Sequence, residues 1–232
     1  MENAEFRLPL CPPPILWHAS AMPLDHAPAL KHLQKSCPSM KALIKRVGAC
    51  ELAVENGRTP FQALVHAVAH QQLNGKAAGT ILNRYRLLFP GGRYPGPKAL
   101  ATVTDEQLRG VGFSRAKTAA LRDLAEKALS GVVPGAKTIA ALPDEEIIAR
   151  LTQVRGIGRW TVEMLLIFTL GRQDVWPVDD YGVRTGYQIT YGLPELPKPK
   201  ELAELGERFR PHRSVAAWYF WRATDTNRSP EA

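Results

Sequence analysis

Apolar residues recur every three or four positions along almost every segment from about residue 25 onward, a spacing that places them on one face of an α-helix. In the stretch TPFQALVHAVAHQQL, for example, Phe61, Leu64 and Val68 keep this spacing. Runs of alternating polar and apolar residues between paired turn residues, the pattern of β-hairpins, are missing. The sequence therefore predicts an all-α fold.

Capping patterns mark where several of these helices begin and end. Thr59 with Gln62, and Thr104 with Gln107, have the spacing of a capping box, in which each side chain accepts a hydrogen bond from the backbone N–H of the other residue. Gly48 follows the amphipathic segment SMKALIKRV and is predicted to end that helix.

Proline-rich segments lie near both ends of the chain. The residues up to about Pro23 lack a helical period, which predicts an extended arm on the surface. Near the other end, GLPELPKPK (192–200) is predicted to be a proline-spaced linker.

The chain is basic, with 30 Lys and Arg against 22 Asp and Glu among 232 residues, a net charge of +8. This excess suits a polyanionic partner such as nucleic acid, or an acidic membrane surface, although solubility alone also accounts for it. A hydrophobic share of 45% favours a folded globule. No run of eighteen apolar residues occurs, so we expect no membrane-spanning segment.

The cysteines bear on the compartment. Cys11, Cys37 and Cys50 are far apart and fit neither a disulfide framework nor a zinc pattern. The N-terminus also carries acids where a signal peptide needs bases. We therefore expect a reducing, cytoplasmic location.

The stretch LTQVRGIGRWT predicts two helices joined by a tight turn that contains Gly156 and Gly158. Such a turn can expose consecutive N–H groups at the start of the second helix and so bind a phosphate. Glycine is also a common helix C-cap, so a purely structural role for this turn remains open at this point.

Two adjacent acids follow the post-hairpin helix in WPVDDYGVR, where Asp179 and Asp180 precede another predicted helix. A carboxylate close to a nucleic-acid backbone is repelled by phosphate. Its presence is explained if it stabilises a positive charge that develops during a reaction.

The stretch LTQVRGIGRWTVEMLLIFTLGRQDVWPVDDYGVRTGY resembles the helix-hairpin-helix and aspartate motif of the helix-hairpin-helix DNA glycosylase superfamily. Within it the chain is most similar to the 3-methyladenine DNA glycosylase II family of alkylated-base repair enzymes, over residues 33–221. The resemblance implies two all-α helical lobes with the active site in the cleft between them. The parts expected are an arm (1–24), a terminal lobe (25–56 with 175–232), and a bundle (57–174) that contains the hairpin motif at about 145–171.

The resemblance also implies which acid is catalytic. It selects Asp180, whose carboxylate would stabilise oxocarbenium character at C1′ or take a proton from the attacking water. Asp179 would then cap the helix that begins near Tyr181 or serve as a secondary acid. An exchange of these two roles stays open.

Further site residues are implied by position. The base pocket would contain Trp160, Met164, Tyr181 and Trp221, because an indole face attracts a cationic purine, although aromatic residues are more often core. A plug inserted into the gap left by the flipped base would come from Gln72 and Leu73 with Asn74 behind them, although a surface turn looks the same. The residues expected at the phosphate backbone are Val154, Arg155, Gly156, Ile157, Gly158 and Arg159.

The resemblance also implies which activity and which cofactor of related enzymes are absent, and which partner is bound. Trp160 stands where bifunctional members carry a lysine, which implies a monofunctional enzyme that leaves an abasic site. No cysteine follows Cys50, so the iron–sulfur cluster of related enzymes is not expected. A sodium or potassium ion on hairpin carbonyls is implied as the sole cofactor. The expected partner is double-stranded DNA with an alkylated base, bound by a monomer at the nucleoid of a bacterium.

Two other functions remain open. One is a non-catalytic protein that uses the hairpin fold to bind kinked or abasic DNA. The other is a bifunctional glycosylase and lyase that uses a different lysine, such as Lys76 or Lys117.

Overall fold

The computed structural model describes residues 21–55 and 57–226, and it confirms the all-α prediction. The predicted arm falls almost wholly outside the described residues. A small sheet pairs β1 (Ala21–Pro23) with β2 (Ala53–Glu55). The α-helices of the described residues are α1 (Ala27–Ser36), α2 (Pro38–Val47), α3 (Pro60–His70), α4 (Gly75–Leu87), α5 (Pro97–Thr102), α6 (Asp105–Gly110), α7 (Arg115–Leu129), α8 (Ala136–Ala141), α9 (Asp144–Leu151), α10 (Arg159–Phe168), α11 (Tyr181–Tyr191), α12 (Pro199–Leu205) and α13 (Arg213–Thr226).

The described residues form two compact units. The terminal unit consists of residues 21–54 and 171–226, and it contains α1, α2 and α11 to α13. The central unit consists of residues 55 and 57–170, and it contains α3 to α10. Within the described residues, no helix is both long and apolar enough to cross a bilayer.

Local capping behaves as the sequence predicts. In both predicted capping boxes the threonine hydroxyl accepts from the backbone N–H of the glutamine. The glutamine side-chain oxygen in turn accepts from the backbone N–H of the threonine, and these distances are 2.8 to 3.3 Å. Gly48 ends α2 with a φ of 89°.

The predicted linker at 192–200 is wrong at its C-terminal end, because α12 starts at Pro199. Proline is tolerated at a first helical position, and the Glu201 carboxylate accepts the Lys198 amide.

A close helix crossing holds the terminal unit together. Gly186 on α11 faces α13, and a Cβ at this position would overlap the Phe220 carbonyl. An aromatic cluster surrounds the crossing: Tyr187, Phe209 and Trp176 have ring centroids 5.2 to 5.9 Å from that of Phe220. All four side chains are buried. This packing fixes α11, whose first turn Asp180 caps, against α13, which carries Trp221.

The central unit is built around α3. Leu64 and Val68 on α3 are completely buried, as are Leu121 on α7 and Leu166 on α10. Helix α3 contacts α4, α7 and α10. The apolar stripe of α3 thus brings the hairpin helix α10 and the end of α3 into one packed body.

Candidate active site

The hairpin lies between α9 and α10, and its turn is fixed by its own apolar residues. Val154 and Ile157 are 1% and 4% exposed, and the Ile157 amide donates to the Val154 carbonyl at 3.0 Å. Gly156 and Gly158 face solvent instead, and Gly156 has a φ of 76°, which a residue with a Cβ rarely adopts. The turn therefore buries its apolar side chains and exposes its glycine backbone.

The start of α10 keeps the groups that bind an anion. Within residues 57–170, no acceptor is recorded for the amides of Gly156 and Gly158. The first turn of α10 also contains no acidic residue. Exposed amides and the positive end of a helix dipole are the groups with which helix N-termini bind phosphate, and the start of α10 offers both.

The two hairpin arginines differ. The Arg155 side chain is exposed, as a phosphate contact requires. Arg159 instead donates to Glu145 at 2.6 Å and to Glu163 at 3.0 Å, and hydrogen bonding to Glu145 raises the pKa of this guanidinium. Arg159 thus ties α9 to α10, so its donors are engaged before any phosphate arrives.

An acid that the sequence analysis missed holds the hairpin from α7. Asp123 Oδ2 accepts the Arg155 amide at 2.6 Å, and its Oδ1 accepts from Lys127 Nζ at 2.6 Å. Burial opposes ionisation of this carboxyl, but the hydrogen bonds from Lys127 and Arg155 outweigh it and lower its pKa. No sequence motif predicts this contact, because residues 123 and 155 are far apart in sequence.

The predicted plug residues occupy the turn between α3 and α4. Gln72 and Leu73 are exposed, Leu73 by 37%. Asn74 has a different role, since its Oδ1 caps α4 by accepting the Ala77 amide at 2.9 Å. Gln72 and Leu73 therefore remain candidates for the plug, whereas the Asn74 side chain is held by the helix.

The paired acids take different places from those expected. Asp180 is the residue directly before α11, and its Oδ1 accepts the Val183 amide at 2.8 Å, so Asp180 is the helix cap. The prediction that Asp179 caps α11 is therefore wrong. The cap must be the residue adjoining the first helical position, and α11 begins at Tyr181. Asp179 is exposed, whereas Asp180 is only 4% exposed.

Trp221 is the partner of Asp180. Its Nε1 donates to the same Oδ1 at 2.8 Å, from α13 to the start of α11. Two N–H groups on different helices thus orient one carboxylate. Trp221 is itself only 2% exposed, so its ring does not offer a face for stacking, and its contact is with the acid.

The other predicted pocket residues are accessible to different degrees. Trp160 at the start of α10 is 41% exposed and Tyr181 at the start of α11 is 46% exposed. Met164, one turn after Trp160, is half-buried.

The hairpin backbone also suits a monovalent cation. Backbone carbonyl oxygen is a ligand that hard cations prefer. Within the central unit, no donor is recorded for the carbonyls of Thr152 and Ile157, and the Val154 carbonyl retains a second lone pair. These three oxygens belong to one short turn, so the residues fit the ion that the resemblance implies.

The all-helical fold, the glycine turn that exposes amides before α10 and the capping aspartate that follows define a helix-hairpin-helix protein. The model of the HhH-GPD superfamily of base excision DNA repair proteins matches residues 65–211, and the chain belongs to this superfamily.

Relatives with known names agree with this membership. The chain is 40% identical over 195 residues to DNA-3-methyladenine glycosylase 1 of Schizosaccharomyces pombe, which covers 83% of this chain and 85% of the relative. The structure of the 3-methyladenine DNA glycosylase of that yeast in complex with abasic DNA matches with a TM-score of 0.77 and 40% identity, over 86% of this chain and 97% of the other. A DNA-3-methyladenine glycosidase from Bacillus halodurans matches with a TM-score of 0.79 and 33% identity, over 90% and 94%.

Proposed function

We propose that this protein is a monofunctional DNA glycosylase that removes alkylated bases of the 3-methyladenine and 7-methylguanine type from double-stranded DNA. It would flip the damaged base out of the helix, cleave the N-glycosidic bond and leave an abasic site for base excision repair. The observation that carries the proposal is the buried Asp180 carboxylate, oriented by N–H donors from Val183 and Trp221. The relatives named 3-methyladenine glycosylase support the choice of substrate.

The reaction needs an oriented negative charge. As the bond between C1′ and the base nitrogen breaks, the electron pair leaves with the base and positive charge develops on the sugar. Asp180 stabilises this charge, and a water molecule then adds to C1′ and transfers a proton to the Asp180 carboxylate or to solvent. An alkylated base is cationic and departs as a neutral molecule, so no strong general acid is required.

Recognition of the base falls to the exposed aromatic rings. A cationic purine is attracted to the electron-rich face of an indole, which Trp160 offers at the start of α10. Tyr181 offers a second exposed ring on α11, and Met164 follows Trp160 by one helical turn. The hairpin amides would hold the DNA backbone while Gln72 and Leu73 fill the gap in the stack.

Several observations favour a monofunctional reaction. Trp160 stands at the position of the lysine nucleophile of bifunctional relatives, and tryptophan cannot form a Schiff base. Lys117 Nζ is engaged elsewhere, since it donates to the Ala69 carbonyl at 2.8 Å. Lys76 is exposed at the start of α4. Borohydride treatment of a reacting mixture should trap no covalent complex, and trapping would establish the bifunctional alternative.

The cofactor and the setting complete the proposal. A sodium or potassium ion on the carbonyls of Thr152, Val154 and Ile157 would add positive charge beside the bound phosphate, with no iron–sulfur cluster. The protein would act as a monomer on alkylated duplex DNA. A cytoplasmic location, at the nucleoid of a bacterial cell, belongs to the same proposal and is supported by cysteines that fit no disulfide framework.

The competing function is a non-catalytic binder of abasic DNA. The negative charge of the buried Asp180 argues against it, because Asn caps a helix as well as Asp and a pure binder gains nothing from that charge. The two functions separate in an assay of free base released from methylated duplex DNA, with 3-methyladenine and 7-methylguanine resolved by chromatography. The wild type should release base and leave strands that break only after alkali. Binding of abasic DNA without any release of base would establish the non-catalytic function.

A further inference from the structure

The turn between α3 and α4 is held in an uncommon conformation. Gln72 has a φ of 57°, and among the described residues it alone has a positive φ without being glycine. Side chains with a Cβ rarely adopt this region unless the surrounding structure imposes it. The neighbouring backbone is also tight, since the Leu73 amide donates to the His70 carbonyl at 3.1 Å. Something outside the turn must therefore keep it in place.

One side chain joins this turn to the hairpin. Gln71, the residue after α3, donates from its Nε2 to the Gly156 carbonyl at 2.8 Å, across 85 positions of the sequence. Gly156 is the glycine whose backbone the hairpin exposes for phosphate. The residue that adjoins the predicted plug is thus hydrogen-bonded to the phosphate-binding turn itself.

Helix α7 anchors both partners of this contact. Asp123 on α7 accepts the Arg155 amide at 2.6 Å, and Lys117 on the same helix donates to the Ala69 carbonyl at 2.8 Å. A Cβ on Gly156 would lie 3.6 Å from the Ala120 Cβ, so the hairpin turn rests on α7. Helix α7 thus holds both the hairpin and the end of α3. Gln71 adds a direct hydrogen bond between these two parts, next to the predicted plug residues.

We propose that Gln71 is a positioning residue that holds the plug turn at a fixed distance from the phosphate-binding hairpin. This inference rests on the proposed function, in which the hairpin binds the DNA backbone and the plug fills the gap that the flipped base leaves in the stack. A wedge must enter the stack at one base step relative to the phosphate being held, and small displacements of a reacting geometry cost large factors in rate. Loss of the Gln71 bond should therefore impair opening of the base stack and leave backbone binding intact.

Gln71→Met tests this, because it keeps the length of the side chain and removes the donor. The matched control is Gln188→Met, since Gln188 on α11 donates from its Nε2 to the Leu193 carbonyl at 3.3 Å and is not one of the candidate site residues. Single-turnover release of 7-methylguanine is measured from two DNAs, one with the lesion paired to cytosine and one with it in an unpaired bulge. Unstacking costs less in the bulge.

For Gln71→Met we expect release about 3- to 10-fold slower on the paired lesion, the loss that one hydrogen bond supplies, and within about 2-fold of wild type on the bulge. Gln188→Met should stay within about 2-fold on both. Gln71→Glu places an acceptor before the Gly156 carbonyl and should show a larger loss confined to the paired lesion. Equal loss on both DNAs, or no loss on the paired one, would overturn the positioning role.

A second measurement separates this inference from the proposed function. The fluorescence of 2-aminopurine opposite an abasic-site analogue rises when the plug unstacks it, and this requires no catalysis. If the wild type releases no base from either DNA, the proposed function fails. A smaller fluorescence rise with Gln71→Met than with wild type, at saturating protein, would still support the inference. An equal rise would refute it.

Discussion

Substitution of Trp221 by phenylalanine tests whether the buried indole orients the catalytic acid. Trp221→Phe keeps an aromatic ring in the core and removes the Nε1–H that reaches Asp180 Oδ1 at 2.8 Å. One of the two recorded donors to this oxygen, the Val183 amide, remains. The carboxylate then loses its link to α13 and gains freedom to turn.

The structure sets the expected size of this effect. A hydrogen bond to a charged group contributes about 1.5 to 3 kcal/mol. Replacing indole by benzene at a site that is 2% exposed leaves a cavity of roughly 40 Å³, which costs about 1 kcal/mol. We therefore expect Trp221→Phe to lower the free energy of unfolding by about 2.5 to 4 kcal/mol. Excision should slow by about 10-fold or more, because about 1.4 kcal/mol corresponds to each factor of ten.

Trp176→Phe provides a matched control in the same unit. Trp176 is buried, and its Nε1 donates to the Leu202 carbonyl at 2.8 Å, a neutral partner distinct from the acid. The same change of ring should cost about 2 kcal/mol of stability and leave the single-turnover rate near that of wild type. The two assays are urea unfolding and single-turnover release of alkylated base. If both variants lose rate equally, Trp221 is only a core residue and the reasoning fails.

Three further predictions concern the framework of the site. Gly186→Ala should abolish the close crossing of α11 and α13, since its Cβ would overlap the Phe220 carbonyl, and thermal melting should show a large loss of stability. Asn74→Ala should lower the free energy of unfolding by about 1 kcal/mol in urea, because α4 loses its cap. Asn74→Ser should retain most of the stability that the cap contributes. Burial, with smaller contributions from nearby positive charge, lowers the pKa of His66 from 6.5 to about 3, so the unfolded chain takes up this proton first. Stability should fall by up to about 1.4 kcal/mol per pH unit from pH 6.5 towards pH 3, and His66→Gln should flatten this dependence.

Local features of the sequence predicted much of the fold. The capping boxes at Thr59 and Thr104 formed as expected, because each depends on residues only three positions apart. The hairpin with its outward glycines was predicted on similar grounds. The predicted linker overlaps the start of α12, because proline spacing does not exclude a helix that begins at a proline.

Contacts between distant residues set the limit of prediction at the site. Which of two adjacent acids caps a helix depends on a boundary of one residue, and assigning the cap to Asp179 was wrong by that one residue. The bond between Asp180 and Trp221 spans 41 positions, and that between Gln71 and Gly156 spans 85. Periodicity and motifs describe which face a side chain lies on, and they do not identify its partner on another helix.

The central claim is that the charge of Asp180, and not only its cap, drives cleavage of the glycosidic bond. Asn caps helices as well as Asp, so Asp180→Asn keeps the start of α11 and removes the negative charge. The measurement is the single-turnover rate of 3-methyladenine release from methylated duplex DNA by Asp180→Asn, compared with the exposed neighbour Asp179→Asn. We predict a loss of about 100-fold or more for Asp180→Asn and less than about 3-fold for Asp179→Asn. Wild-type release by Asp180→Asn, or the larger loss in Asp179→Asn, would contradict the account.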